Sequence, residues 1–216
     1  VTRAMGGLLR LVLRILWGTA WRLTAVLALI VAASGVWFYG QLPPLAALLD
    51  GRARGSVTLL DRDGQVFAWR GETFGGTITA DTVSPHLRNA VVATEDKRFY
   101  SHFGISPRGI ASAVRINLAA GRGPFSGNGG STITQQVAKL LCLGRSYDPA
   151  SGQSEADYEA ECREGSLWRK IREVPFAFAL EARYSKDDTP TIYLNRAYLG
   201  AGARGFEAAA QRYFGR

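Results

Sequence analysis

No charged side chain occurs between Arg22 and Asp50, and that gap constrains the chain more than any other feature. Within it, Leu23 to Tyr39 reads LTAVLALIVAASGVWFY. At roughly 1.5 Å per helical residue, this run nearly crosses a hydrocarbon core about 30 Å thick. Extension back through Ile15–Trp21 completes a span over 15–40, with Arg22 snorkelling to the interface. Trp37, Phe38 and Tyr39 supply an aromatic belt at the far end, and Pro43-Pro44 stops the helix. Arg3, Arg10, Arg14 and Arg22 precede the span with no acid among them. The positive-inside rule then leaves 1–22 as a cytoplasmic basic segment and everything after the span outside. A cleaved signal peptide is the competing reading, disfavoured by the length of the run and by the bulky aromatics that follow Ala32-Ala33.

Beyond the span lies one domain's worth of chain, enough to bury a core. The net charge of +8 is spread over both parts. A basic outer part suits polyanions, anionic lipid heads or pyrophosphates, and charge alone describes a soluble surface equally well. Two His and two Cys exclude much chemistry. There is no His-Glu-x-x-His zinc helix and no Cys-x-x-Cys pair. Cys142 and Cys162 flank a polar, turn-rich insert over 145–165, read as exposed. In an oxidising compartment they can close it as a disulfide, whereas a Cys2His2 site with His86 and His102 fits no zinc spacing.

Residues 41–84 read as a juxtamembrane linker with one β-hairpin. Val57–Leu60 and Val66–Trp69 are short strands joined through Asp63-Gly64, a hairpin signal. From Pro85 the pattern becomes helical. Leu87, Val91, Glu95 and Phe99 share one face at a spacing of four, so Glu95 is expected on the inward side of a helix closed by Gly104. Ser106-Pro107 starts the next helix, with Ile110, Val114 and Leu118 as its apolar stripe. Residues 121–130, GRGPFSGNGG, form a loop expected to be mobile. Thr132-x-x-Gln135 is a capping-box pattern opening another helix. Leu167 to Tyr184 returns to helix with Leu167, Ile171, Val174 and Phe178 on one face, loosened or kinked at Pro175. Asp187 to Tyr198 makes a last helix, capped by Asp187 with Pro190 in its first turn. The fold class is therefore mainly α.

Three places could carry chemistry. Glu95 and Asp96 are adjacent acids whose side chains point about 100° apart on a helix, which suits separate tasks. A buried carboxyl can serve as a base near neutrality, although an acid at a helix end is more often simply solvated. Glu173 sits beside Arg169, Lys170 and Arg172. Either Arg169 and Glu173 pair on the surface four residues apart, or the cluster is a phosphate clamp. Ser131 and Thr132 open a helix after a glycine-rich loop, with Lys139 on the same face. That is an anion site or an ordinary capped helix.

Together these residues resemble a family. Glu95-Asp96-x-x-Phe99-x-x-His102-x-Gly104 resembles the first motif of the family 51 glycosyltransferases, the transglycosylase domain of class A penicillin-binding proteins and their monofunctional relatives. Gly130-Ser131-Thr132-Ile133-Thr134-Gln135-Gln136 is similar to the second motif, and Arg169-Lys170-x-x-Glu173 to the third. Lys186 with Tyr193-Leu194-Asn195 resembles the fourth. Arg204-Gly205-x-x-x-Ala209-x-x-x-Tyr213-Phe214 resembles the fifth. All five occur in order.

The resemblance implies a lysozyme-like, two-lobed helical domain over 85–216 and a small β-ribbon near a bacterial cytoplasmic membrane, with the domain on the outer, periplasmic side. It implies polymerisation of lipid II, with the growing glycan strand as donor. Glu95 matches the general base. Glu173 matches a second essential acid, acting near the leaving group or a divalent ion. Lys139, Arg169 and Lys170 match pyrophosphate-side positions. Asp96, Phe99, His102, Ser131, Thr132, Gln135, Gln136, Asn195 and Arg204 match motif positions that bind substrate or shape the cleft, and for His102 the role expected is structural. The sequence requires no cofactor, and the resemblance leaves room for a divalent cation, Mg or Mn, at the pyrophosphate. The implied partners are lipid II, the glycan strand, the membrane and other cell-wall synthesis proteins; no nucleic acid is implied. Apolar residues around Phe99–Phe103 and the glycine-rich loop are expected to dip into lipid. A lysozyme-like hydrolase and an inactive wall-binding module are the rival readings. The fourth motif departs from the pattern at Thr189-Pro190. The chain is expected to be shortened, because relatives continue with further helices past the fifth motif, and no Ser-x-x-Lys of a transpeptidase occurs in it.

Overall fold

The computed structural model describes residues 2–49, 57–64, 66–70, 73–74, 76–79, 81–145 and 147–215. The mainly helical expectation holds. The first helix, α1 (Thr2–Gln41), is continuous and begins well before the apolar run, so the arginines of the basic segment lie on it. Its stretch Leu11–Gln41 is long and apolar enough to cross a membrane. Trp17, Leu29 and Val36 are 78%, 70% and 74% exposed, an apolar surface that water would not leave bare.

The C-terminal end of α1 is packed, not free. After α2 (Leu45–Leu49), the hairpin of β1 (Val57–Leu60) and β2 (Val66–Arg70) is antiparallel as expected, with a register shift between Leu59 and Leu60. A two-residue strand, β3 (Thr73–Phe74), comes next, and then α3 (Pro85–Asp96), α4 (Pro107–Ala119), α5 (Ile133–Leu140), α6 (Glu155–Arg163), α7 (Leu167–Arg183) and α8 (Asp188–Arg196). The strand β4 (Ala203–Arg204) and α9 (Phe206–Phe214) close the order. Phe38 meets Phe176 of α7 edge to face at 5.0 Å, and the Arg183 guanidinium lies 5.4 Å from the ring centre of Tyr39. Tyr184 donates to the carbonyl of Pro43 at 2.5 Å, and Arg196 to that of Leu48 at 2.7 Å. Burial of Phe38, Leu42 and Leu48 makes the end of the span part of the main core, together with Phe99, Ile133, Val137, Phe176, Leu180 and Ile192.

Several local expectations need correction. The helix carrying Glu95 ends at Asp96, and a short 3-10 turn, Phe99–Ser101, leads to Gly104. Gly104 has φ +76°, and a Cβ there would stand 3.1 Å from the carbonyl oxygen of Ala177, so this corner needs glycine both for its backbone and for its approach to α7. On α4 the buried positions are Ala113 and Asn117, while Ile110 and Leu118 are exposed. The stripe is displaced because Asn117 must face inward to organise the glycine-rich loop. It donates to the carbonyls of Pro124 and Asn128 at 3.1 and 2.9 Å and accepts from the Asn128 N–H at 2.8 Å. The loop expected to be mobile is thus wound on a fully buried amide.

On α7 the periodicity named the wrong face. Leu167 and Ile171 are exposed, and Glu173, Phe176, Ala177 and Leu180 are buried. Helix α7 is apolar in two directions, and the side chosen for the core is the outward one, whereas the charged cluster around Glu173 lies on the buried side. It runs unbroken through Pro175. The N–H missing there would have bonded at Ile171, where α7 leaves the core, and packing of Phe176 and Leu180 holds the helix across the gap. The insert is folded rather than merely exposed: Tyr158 and Cys162 of α6 form a small core with Cys142. Helix α8 ends at Arg196, and Asp187 makes no side-chain cap. Ser185 and Asp188 cap it reciprocally at 2.8 and 3.1 Å. Thr189 and Pro190, the departure from the fourth motif, are buried in its first turn. The parallel pairing of β3 with β4, Phe74 opposite Arg204, carried no sequence signal at two residues' length.

Candidate active site

The end of α3 delivers two carboxylates in different directions. Glu95 accepts from the side-chain amide of Gln136 on α5 at 2.7 Å. The hydroxyl of Tyr193 on α8 also bonds to Glu95; burial first, then the charge of Glu95 and that bond, push the Tyr193 pKa from 10.0 to about 12. Asp96 turns the other way. It accepts from His102 Nε2 at 2.9 Å and from the N–H of Ile133, the first residue of α5, at 3.3 Å. A carboxylate at a helix N-terminus is favoured by the free amides and the helix dipole. Asp96 therefore fastens the first-motif turn to α5.

That turn is secured from three further directions. Thr132 Oγ1 donates to the carbonyl of Gly104 at 2.6 Å. Lys186 Nζ donates to the carbonyl of His102 at 2.7 Å, lies 4.5 Å from the ring centre of Phe99 and pairs with Glu181 at 2.6 Å. Thr134 Oγ1 donates to the other oxygen of Glu181 at 2.6 Å. The capping box on α5 forms as expected, with Thr132 and Gln135 bonded reciprocally at 3.1 Å.

The second charged centre lies on α7. Glu173 is fully buried; Arg169 bonds one carboxylate oxygen and Lys170 the other, the latter at 2.7 Å. Of the two readings of this cluster, the surface ion pair is excluded by that burial. Lys170 Nζ also donates to Ser131 Oγ at 2.8 Å, and Arg169 Nε to the carbonyl of Glu164 at 2.8 Å. Burial lowers the pKa of Arg169, and burial followed by the charges of Arg169 and Lys139 lowers that of Lys170. Two cations on one buried anion leave local positive charge to spare.

These groups face one cavity of about 500 Å³. Ser131 lines it from just before α5, Gln135, Gln136 and Lys139 from α5, Arg169, Lys170 and Glu173 from α7, and Arg204 from β4. Arg204 is held 5.9 Å from the ring centre of Tyr198, which is a further lining residue. Glu95 stands beside this cavity through its bonds to Gln136 and Tyr193, both of which line it. Asp96, Phe99, His102 and Thr132 do not line it and form the support of the first-motif turn. Asn195 is not brought there either. Its amide holds both backbone groups of Ile78, at 3.0 and 2.6 Å, and the carbonyl of Thr191. Tyr193, Tyr198, Lys186 and Glu181 were missing from the expected site. Tyr193 and Lys186 stand in the fourth motif; Glu181 and Tyr198 carry no spacing signal.

Glu173 does not suit a resident divalent ion. Both its oxygens are occupied by cations, and among the described residues no three His, Cys, Asp or Glu side chains gather.

The sequence model of the family described as Transglycosylase matches residues 63–216. The chain is 38% identical to penicillin-binding protein 1A of Escherichia coli strain K12 over 176 residues, 82% of this chain and 18% of that protein. It is 38% identical to penicillin-binding protein 1A of Aquifex aeolicus strain VF5 over 178 residues, covering 82% and 22% respectively. For penicillin-binding protein 1A of Neisseria flavescens the identity is 39% over 176 residues, 82% and 19%. The chain thus spans about a fifth of the length of the curated relatives it matches. With the motif residues gathered around one cationic cavity and the family match covering most of its length, this chain belongs to the transglycosylase family.

Proposed function

We propose that this chain polymerises lipid II into β-1,4-linked glycan at a membrane surface. The observation that carries the reading is the pairing of a hydrogen-bonded carboxylate, Glu95, with a cavity walled by Lys139, Arg169, Lys170 and Arg204. Glu95 takes the proton of the acceptor sugar's 4-hydroxyl as that oxygen attacks the donor's anomeric carbon from the face opposite the leaving group. The bond from that carbon to the pyrophosphate breaks, and its electron pair leaves with undecaprenyl pyrophosphate. The charge developing there meets the cations, which are already in place and need no reorganisation. Glu173, with both oxygens engaged, acts by holding Arg169 and Lys170 rather than by moving a proton. A divalent ion, where one takes part, enters bound to the pyrophosphate.

Both reactants carry lipid tails. A membrane-spanning α1, N-terminus inside, confines the cavity to the surface where they reside and raises their effective concentration. The exposed apolar side chains Tyr100, Phe103 and Phe125, with Leu167, Trp168 and Ile171 on α7, suit contact with the outer leaflet. A role alongside other cell-wall synthesis proteins belongs to the same reading.

Labelled lipid II supplied to the detergent-solubilised chain is the test. Polymer formed by the wild type and lost in Glu95→Gln supports the proposal. Soluble fragments released from intact wall would instead mark a hydrolase, and binding without turnover a scaffold.

A further inference from the structure

We propose that the Cys142–Cys162 disulfide positions the phosphate-binding wall, by fixing Lys139 on α5 relative to Arg169 on α7. The proposal rests on the reading of the cavity as a pyrophosphate site.

The two sulfurs join segments that carry the cations. Lys139 lies in the last turn of α5, three residues before Cys142. Glu164 lies two residues after Cys162, and its carbonyl accepts from Arg169 Nε at 2.8 Å. Ser166 Oγ caps the backbone N–H of Arg169 at 3.1 Å, so the guanidinium is oriented from the segment that leaves the disulfide. Cys142 and Cys162 are only 7% and 6% exposed with Cα atoms 5.1 Å apart, and both line the main cavity. They also line a second cavity of about 170 Å³, on which Lys139, Arg145, Arg169, Arg172 and Trp168 abut. The disulfide is therefore a partition between two cationic cavities that share Lys139 and Arg169.

Leu141 and Leu143, on either side of Cys142, are buried in the main core, so the α5 side of the partition is anchored and the disulfide ties the α6 side to it. Cys142 and Leu143 have φ of +51° and +54°, a left-handed conformation unfavourable for side-chain-bearing residues. The core at α6 consists of Cys142, Cys162 and Tyr158 with Tyr147 partly buried, too small to fold alone. Tyr158 donates to the carbonyl of Arg145 at 2.7 Å, and Arg145 pairs with Glu161 at 2.9 Å, but both contacts stay inside the insert. The covalent link, the Glu164 carbonyl and the Ser166 cap carry its order to Arg169.

The experiment compares the full chain with its Cys142→Ser/Cys162→Ser variant in detergent, titrating lipid II. The cations bind the pyrophosphate of the ground state and meet the further charge that develops as it leaves, so KM should rise about five- to tenfold and kcat should fall with it. A merely stabilising staple would lower the active fraction, and hence kcat, at constant KM; that result overturns the proposal. A second measurement decides the matter if the variant fails to fold or the wild type makes no polymer: hydrogen exchange on the native chain before and after reduction with dithiothreitol. Lost protection over 139–141 and 164–170 supports the brace, and loss confined to 145–161 overturns it. Absence of polymer from the oxidised wild type counts against the glycosyltransferase reading alone.

Discussion

The side-chain amide of Gln136 reaches across from α5 to Glu95 on α3 at 2.7 Å, and it is the contact that joins the first two motifs at the cavity. An amide donor fixes where the carboxylate points without competing for the substrate proton. Replacing Gln136 by Leu should lower kcat by about 10- to 100-fold with folding intact, and Glu95→Gln by about 100- to 10,000-fold, the range for loss of a positioned base. Initial rates of lipid II polymerisation check both.

Tyr193 links the same carboxylate to pH. Its pKa lies above the ordinary 10.0, at about 12, so the folded state holds the phenolic proton more tightly than the unfolded state. Its contribution to stability is fully present below pH 10 and is lost as pH rises toward 12. Thermal unfolding of the detergent-solubilised chain across that window should show a fall that is shallower in Tyr193→Phe. An ultraviolet titration of the two proteins should differ by one late-titrating phenol.

Glu173 is buried between two cations, so its removal leaves charge without a partner. Glu173→Ala should destabilise the domain by about 3–5 kcal/mol, the scale for breaking a buried ion pair from one side. Denaturant unfolding gives this value. Glu173→Gln should retain more stability than Ala and still lose polymerisation, because Arg169 and Lys170 are no longer held by charge.

Gly130 opens the second motif where two backbones touch. A Cβ there would stand 2.6 Å from Cα of Ile110, at the start of α4, so one segment must move. Gly130→Ala should cost about 1–3 kcal/mol, as for other overpacked sites, and lower activity through displacement of Ser131. Melting temperature and rate together test it.

The site was more legible in the sequence than its supports were. Thr132 and Gln135 form a capping box because a short-range pattern contains both partners, and the β1–β2 hairpin arises from Asp63-Gly64 for the same reason. Long-range choices are different. Helix α7 has an apolar face in two directions, and only the fold decides that Phe176 goes inward and Ile171 outward. Nothing near Asn117 in the chain says that it will organise a loop eleven residues away, or near Asn195 that its amide will be spent on Ile78. Those contacts exist because buried polar groups must be satisfied, and the partner is settled only when the backbones meet.

Helices α1 and α7 run side by side in the same sense: Gly35 lies against Pro175, Phe38 against Phe176, and Tyr39 under Arg183. In a chain whose α1 crosses a bilayer, that contact is a rigid strut rather than a tether. A helix that tilts to suit a thinner membrane carries α7 with it, and with α7 the cations at Arg169 and Lys170. On the proposed function, membrane thickness then sets the height at which a lipid-borne sugar must present itself to Glu95, and the composition of the bilayer becomes a tuning parameter of the reaction.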